Sequence, residues 1–187
     1  KSPKLDQWIS ISRDGRVLIH TGKVDIGQRI STALALIAAE ELDVDISRID
    51  ITRTETGVDP DEGITSGSNS MEEAGNAVRA ASATARRHLL SLAAASLGVD
   101  VLTLEISDGL IHSCGTNLSV SYAELASDQL FDIDVDPDAP VKDPESYSRI
   151  GKPTITRGLT EIVTGLPYFV QDMKMPGMLH ARVVRPP

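Results

Sequence analysis

Two short polar stretches carry the residue types from which an anion-binding site is built. Asp25-Ile26-Gly27-Gln28-Arg29 lies where a strand-like run gives way to a helix-like one, a connection at which main-chain amides are exposed and the helix dipole favours negative charge. Gly27 lets a ligand approach the main chain, and Gln28 offers both a donor and an acceptor. Thr65-Ser66-Gly67-Ser68-Asn69-Ser70 gathers hydroxyl and amide side chains around one glycine directly before a second helix start, a set suited to wrapping phosphates. It lacks the spacing of a nucleotide P-loop, because no Lys follows a Gly at the helix start. Each stretch also has a plainer reading. The first is then an ordinary tight turn with a solvated Gln28, and the second a Ser70 helix cap behind a flexible loop, with Glu72 and Glu73 in the first turn disfavouring an anion. Two such loops, each feeding a helix, point to a shared ligand.

Other chemistry finds less support. His20, His88, His112 and His180 are scattered without metal-ligand spacing and read as surface or strand positions, so no metal site is expected. No Ser-His-Asp or Cys-His arrangement assembles from the order of residues, and Glu40-Glu41 reads as part of a helix face rather than an acid/base pair. Asp132, Asp134 and Asp136 lack the Gly and Glu of a calcium loop and read as solvated. A lone Cys114 excludes an internal disulfide and a cysteine-ligated cluster within the chain.

The elements that position the two stretches follow from periodicity. Trp8, Ile9 and Ile11, then Val17, Leu18 and Ile19, flank Asp14-Gly15 and predict a hairpin from about Gln7 to Lys23. Ile30, Ala33, Leu34, Ile37, Ala38 and Leu42 recur at helical spacing and predict a helix over 30–42 packed on one face. Alternation around Ile49 and Ile51 to Thr54 predicts a strand, followed by a polar loop over 55–69. Ser70 to Glu73 fits a capping box opening a second helix, whose alanine-rich apolar face runs to Gly98. A second hairpin turns at Ser107-Asp108-Gly109, and Ser121 to Glu124 is a further capping box opening a short helix to about Ser127. The fold class expected is α+β, hairpins and a mixed sheet packed by two main helices over 1–127. Residues 128–152, acidic and proline-bearing, read as a linker, and new apolar clusters open a second domain over 153–187.

With 187 residues the chain has enough length for one well-buried domain plus part of another. Its 27 acidic against 18 basic side chains give a net charge of -9, with no basic run, so nucleic acid is not an expected partner. No apolar run approaches the roughly 20 residues of a membrane span. The sequence opens without a recognisable leader, yet a start at Lys1 fits removal of one equally well, so export stays open.

Three ordered motifs carry a resemblance over nearly the whole chain. They are Gly22-Lys23-Val24-Asp25-Ile26-Gly27-Gln28 with Thr32-Ala33-Leu34 and Ile37 to Leu42; Asp61 to Ser68 with Ser70-Met71; and Thr164-Gly165, Phe169-Val170, Asp172 and Met175 to Pro187. Together they resemble the molybdopterin-binding large subunit of the xanthine dehydrogenase and aldehyde oxidase family, in its isoquinoline oxidoreductase and nicotinate dehydrogenase-like branch. The resemblance implies that Ile26, Gly27 and Gln28 line the molybdenum centre and pterin, and that Thr65, Ser66, Gly67, Ser68, Asn69 and Ser70 hold the pterin and pyrophosphate of a molybdopterin cytosine dinucleotide. It further implies that the last motif opens an α/β hammerhead domain. The implied reaction is hydroxylation of an N-heteroaromatic ring, or oxidation of an aldehyde, with water as oxygen source. The implied general-base glutamate belongs to a C-terminal Gly-x-Gly-Glu motif that this chain lacks, so the chain alone is not expected to be active. The implied partners are the remainder of the large subunit, a small subunit with two-iron two-sulfur clusters, and a cytochrome c or flavin subunit, in a bacterial cytoplasm or periplasm. Arg29 stands where the family usually has Gly. Two alternatives remain at this level: a binding or assembly module that kept the fold and lost the cofactor, and an unrelated nucleotide-phosphate-binding domain.

Overall fold

Alternation of Ile9, Ile11, Val17 and Ile19 toward one side produces the two antiparallel strands β1 (Ile9–Ile11) and β2 (Val17–Ile19). The chain, seen in a computed structural model that describes residues 3–126, 131–167 and 169–186, forms two compact units, Lys1–Pro153 and Thr154–Pro187. In the first unit β2 is followed by helix α1 (Ile30–Leu42) and then by β3 (Ile49–Ile51), which lies parallel to β2. The result is a mixed sheet of order β1-β2-β3, the connection that a crossover helix permits. The expected strand to Thr54 ends at Ile51; beyond it Thr54 turns its hydroxyl to the carbonyl of Thr21.

Helix α1 has the predicted bounds but not the predicted single buried face. It packs on β3 and on helix α2 (Asn76–Leu97), and nine of its 13 residues are buried, Glu40 and Glu41 among them. Alanines at 35, 38, 39, 81, 85 and 93 are all in the core, and their small side chains bring the layers close. Helix α2 ends at Gly98 as expected, with a left-handed glycine at the cap. Its start differs from expectation. Ser70 makes no capping hydrogen bond, and Met71–Gly75 form a π-turn before the regular helix. The reason is that the helical backbone begins one residue earlier: Ser70 is already right-handed, at φ -58 and ψ -37, and the Glu73 amide donates to the Asn69 carbonyl, while the Glu73 carboxylate meets the buried Lys23 ammonium at 2.5 Å.

A second sheet, β4 (Leu104–Ser107), β5 (Leu110–Ser113) and β6 (Ser119–Ser121), is an antiparallel meander. Its hairpin is the one expected at Ser107-Asp108-Gly109, whereas β6 was not expected, since three residues are too few for a periodic signal. Ile111, Val120 and Tyr122 join the same core as the first sheet. Helix α3 (Tyr122–Ala126) opens with the expected capping box, the Ser121 amide and hydroxyl donating to Glu124 and the Ser121 hydroxyl accepting from the Glu124 amide. The predicted end at Ser127 lies outside the described residues, as do the start of the acidic segment, Tyr168 and Pro187.

The acidic segment, over its described part 131–152, is a strap laid on the first unit. Phe131 is buried in the core, the Leu5 amide donates to Ile133, and the Val135 amide donates to Pro3. Further on, the amides of Ser148, Arg149 and Ile150 donate to the Glu40 carboxylate at 2.7–3.2 Å. Glu41 accepts from Arg79, Arg86 and the Lys142 amide. Of two adjacent carboxylates inside a helix interface, Glu40 is therefore satisfied by a segment about a hundred residues later, and Glu41 by two arginines of α2 together with that segment, as buried charge requires. The second unit carries one short helix, α4 (Leu159–Thr164), and a 3-10 turn at Val170–Asp172, with no strand among its described residues.

Candidate functional site

The odd-numbered alternation of β2 does not stop with the strand: Val17, Ile19, Thr21 and Lys23 are all buried. This inward register carries the chain from β2 alongside residues 60–65. Gly22 lies so close that an added Cβ would stand 2.3 Å from the Pro60 carbonyl oxygen. The Thr21 hydroxyl and the Gly22 amide both donate to the Glu62 carboxylate, at 2.6 and 2.7 Å. The Val24 amide donates to the Thr65 hydroxyl at 3.0 Å. The two stretches singled out in the sequence are thereby brought side by side, Thr65 of one touching the residue that leads into the other.

In the first stretch, the Asp25 carboxylate accepts from the amides of Gly27 and Arg29 and from the Ser31 hydroxyl. Asp25 thus organises the turn into α1, a role not expected from the sequence. An Asp two to six residues ahead of amide and hydroxyl donors at a helix start was the available signal. Gln28 folds over the same turn, accepting from the Ile26 amide at 2.7 Å and donating to the Val24 carbonyl at 3.0 Å. Ile26, Gly27 and Gln28 are exposed, and nothing lies within 4 Å of a Cβ built on Gly27.

Arg29 has φ 66 and ψ 28, a left-handed conformation that costs a side-chain-bearing residue about 1–2 kcal/mol. The backbone here is shaped for glycine, and the arginine is accommodated at the expense of strain. Replacing Arg29 by Gly is expected to raise unfolding free energy by about 0.5–1 kcal/mol once the greater flexibility of glycine in the unfolded chain is subtracted. Chemical denaturation of the two forms checks this, and a loss of stability would mean that the guanidinium makes a contact outweighing the strain.

In the second stretch, Ser66, Gly67, Ser68 and Asn69 are exposed and Ser70 is buried. Gly67 and Ser68 are both left-handed, at φ 65 and 60. Among the described residues the hydroxyls of Ser66 and Ser68 and the side-chain amide of Asn69 make no hydrogen bond, so their donors are free for a ligand. Asn69 also edges a cleft of ≈ 770 Å³ that includes Trp8, Glu72, Glu73 and Asn76.

The residue that ties these parts together is Lys23, which stood out in the sequence only as part of a motif. Its side chain is 1% exposed, and its ammonium donates to the carbonyls of Glu62 and Ile64 at 2.7 and 3.1 Å and to Glu73 at 2.5 Å. The signal was parity: a lysine on the inward register of a strand must find buried acceptors.

One arrangement not expected from the sequence does appear. The Ser10 hydroxyl lies 3.4 Å from His20 Nε2, and His20 Nδ1 lies 3.1 Å from Asp59. The order of groups is that of a nucleophilic triad, but Asp59 is also engaged by the Thr52 hydroxyl and the Glu55 amide, and the cleft beside Asn69 does not include these residues. The geometry is that of a clamp holding the 55–59 turn against β2. Among the described residues no group of three or more His, Cys, Asp or Glu side chains gathers to hold a metal ion, and no helix is long and apolar enough to cross a membrane.

Comparison with known proteins places this architecture. Residues 2–160 match the model of a molybdopterin cofactor-binding domain. The chain is 38% identical over 188 positions to one of the subunits of nicotinate dehydrogenase from Pseudomonas putida, covering all of this chain and 16% of that protein. Among solved structures, CO dehydrogenase from Oligotropha carboxidovorans is similar with a TM-score of 0.58 and 26% identity, over 68% of this chain and 17% of that one. Quinoline 2-oxidoreductase from Pseudomonas putida 86 is similar with a TM-score of 0.52 and 28% identity, over 63% and 15%. The chain spans about a sixth of the length of the curated relative above.

Proposed function

The chain belongs to the molybdopterin cofactor-binding domain family, and from that premise we propose that its two joined loops hold one side of the cofactor in an oxidoreductase of the xanthine dehydrogenase and aldehyde oxidase type. The observation that carries the reading is the juxtaposition of 25–29 with 65–70 through the Val24–Thr65 hydrogen bond, with the donors of Ser66, Ser68 and Asn69 left free beside it. That donor set fits a phosphate-bearing pterin: neutral hydroxyls and an amide on left-handed backbone accept a phosphate at close range.

In this reading Ile26, Gly27 and Gln28 would line the molybdenum centre and pterin, and Thr65, Ser66, Gly67, Ser68, Asn69 and Ser70 would hold the pterin and pyrophosphate of a cytosine dinucleotide form. The cofactor, when bound, supplies the two-electron oxidant that turns R–H and water into R–OH, two protons and two electrons. What this chain contributes is position. Asp25 fixes the turn into α1, Gln28 bridges the Val24 carbonyl and Ile26 amide so that residues 24–28 keep their shape, and Thr65 locks the second loop to the first. Two relatives above are named for nicotinate and for quinoline, both nitrogen heteroaromatics, which supports the N-heteroaromatic ring over the aldehyde as substrate. The remainder of a large subunit supplies the base and most of the substrate pocket. A small subunit with two-iron two-sulfur clusters takes the electrons, passing them to a flavin or cytochrome c subunit. Residues 153–187 are then the opening of an α/β hammerhead domain.

Gly67→Val tests the reading. Gly67 is exposed and left-handed, and a Cβ there would meet only the Asn69 side chain, at 3.6 Å. A β-branched residue distorts the loop without touching the core. The expected result in the native protein is a molybdenum content lowered about tenfold, with a thermal midpoint lowered by only about 2 °C. Full molybdenum content in this variant removes the loop from the site.

A further inference from the structure

Lys23 is the only buried lysine among the described residues. All three donors of its ammonium are committed, two to main-chain carbonyls and one to a carboxylate. The carbonyls belong to Glu62 and Ile64, immediately before Thr65, and the carboxylate belongs to Glu73, whose amide donates to the carbonyl of Asn69. One side chain therefore grips residues just before and just after the exposed donors of Ser66, Ser68 and Asn69.

We propose that Lys23 is the positioning residue of the second loop: its ammonium sets the height of residues 62–64 against the first loop and offsets the charge of Glu73, so that the free donors between them meet an anionic phosphate instead of a bare carboxylate. The proposal rests on the functional reading above for the identity of the anion, but not for the mechanical role. Two features support it. The Lys23 ammonium holds the carboxylate of Glu73, whose amide is bonded to the Asn69 carbonyl, so the contact fixes the turn that ends the loop. And Glu73, half-exposed beside Asn69, would otherwise repel an anion in the same place.

The test is Lys23→Met in the native protein purified with its cofactor, read by hydrogen exchange of peptides covering 62–70 and by molybdenum per chain. The expected result is exchange in 62–70 faster by about tenfold, with peptides in the middle of α2 unchanged, and molybdenum content lowered about tenfold. If Lys23→Met does not fold, the double variant Lys23→Met/Glu73→Gln, which leaves no unpaired carboxylate, takes the same measurements, with the loop again loosened. Exchange in 62–70 equal to wild type overturns the proposal, as does a loosened loop with molybdenum content intact. A wild-type protein without molybdenum whose Lys23→Met loop is nevertheless loosened overturns the functional reading and supports Lys23 as the residue that positions the loop.

Discussion

Replacing Glu40 by Ala is expected to cost about 3–5 kcal/mol of stability, because Glu40 is itself fully buried and is the single acceptor that the part-buried amides of Ser148, Arg149 and Ile150 share, while Asp43 is left as the one carboxylate beside the Lys142 ammonium. Denaturant unfolding measures the loss directly, and limited proteolysis should cut first within 142–152, where the strap is released. Acid should act in the same direction on the unaltered protein. Burial by itself would raise the Glu40 carboxyl, but the three amides and the Lys142 ammonium overcome it and hold the group below its ordinary value of 4.5. A carboxyl lowered on folding stabilises the fold fully above its unfolded value, and that contribution disappears as pH falls through the lower folded value. Unfolding free energy should therefore decline below about pH 4.5, and Glu40→Ala should flatten that decline. A stability loss under about 1 kcal/mol, or an unchanged acid slope, would show that the strap is held by something else.

The second large effect is expected at Gly22. An alanine there would place its Cβ 2.3 Å from the Pro60 carbonyl oxygen and 3.1 Å from the Glu62 amide nitrogen. Both obstacles are main chain, so no side-chain rotation relieves the clash, and residues 60–65 must move away from 21–24. The expected cost is about 2–3 kcal/mol, and unlike Gly67→Val it should lower stability and cofactor retention together, since the Lys23 and Val24 hydrogen bonds cross the same gap. Thermal unfolding and metal analysis on one preparation separate the two patterns. A Gly22→Ala protein with wild-type midpoint and molybdenum would mean that the loop shifts freely and that the close approach is not needed.

Much of the architecture was legible because it is periodic. Ile30 to Leu42, the hairpin at Asp14-Gly15 and the stop at Gly98 each carry a local pattern whose physical cause lies within a few residues. What the sequence hid depends on partners far away in the chain. Glu40 and Glu41 look like the polar side of an amphipathic helix until Arg79, Arg86 and residues 142–150 arrive to satisfy them. Ser70 and Glu73 look like a capping box, yet the carboxylate meets Lys23, 50 residues earlier. The candidate site divides in the same way. Its donors were visible as a run of hydroxyl and amide residues, while the contacts that join it to the first loop, through Lys23, Glu62 and Thr65, are tertiary and have no local signature.

The distance along the chain between Glu40 and its amide donors has a consequence during synthesis. At a translation rate of about 5–20 residues per second, the 108 residues that separate Glu40 from Ser148 take roughly 5–20 s to emerge. Through that interval α1 and α2 can pair by their alanine faces, with Glu41 meeting Arg79 and Arg86 of α2, but the Glu40 carboxylate at the end of α1 must stay wet. The nascent domain waits in an open form, its helix interface closed at one end and solvated at the other. It becomes a dry, cooperative unit only when the strap is laid down, so late closure of this interface comes built into the order of the chain.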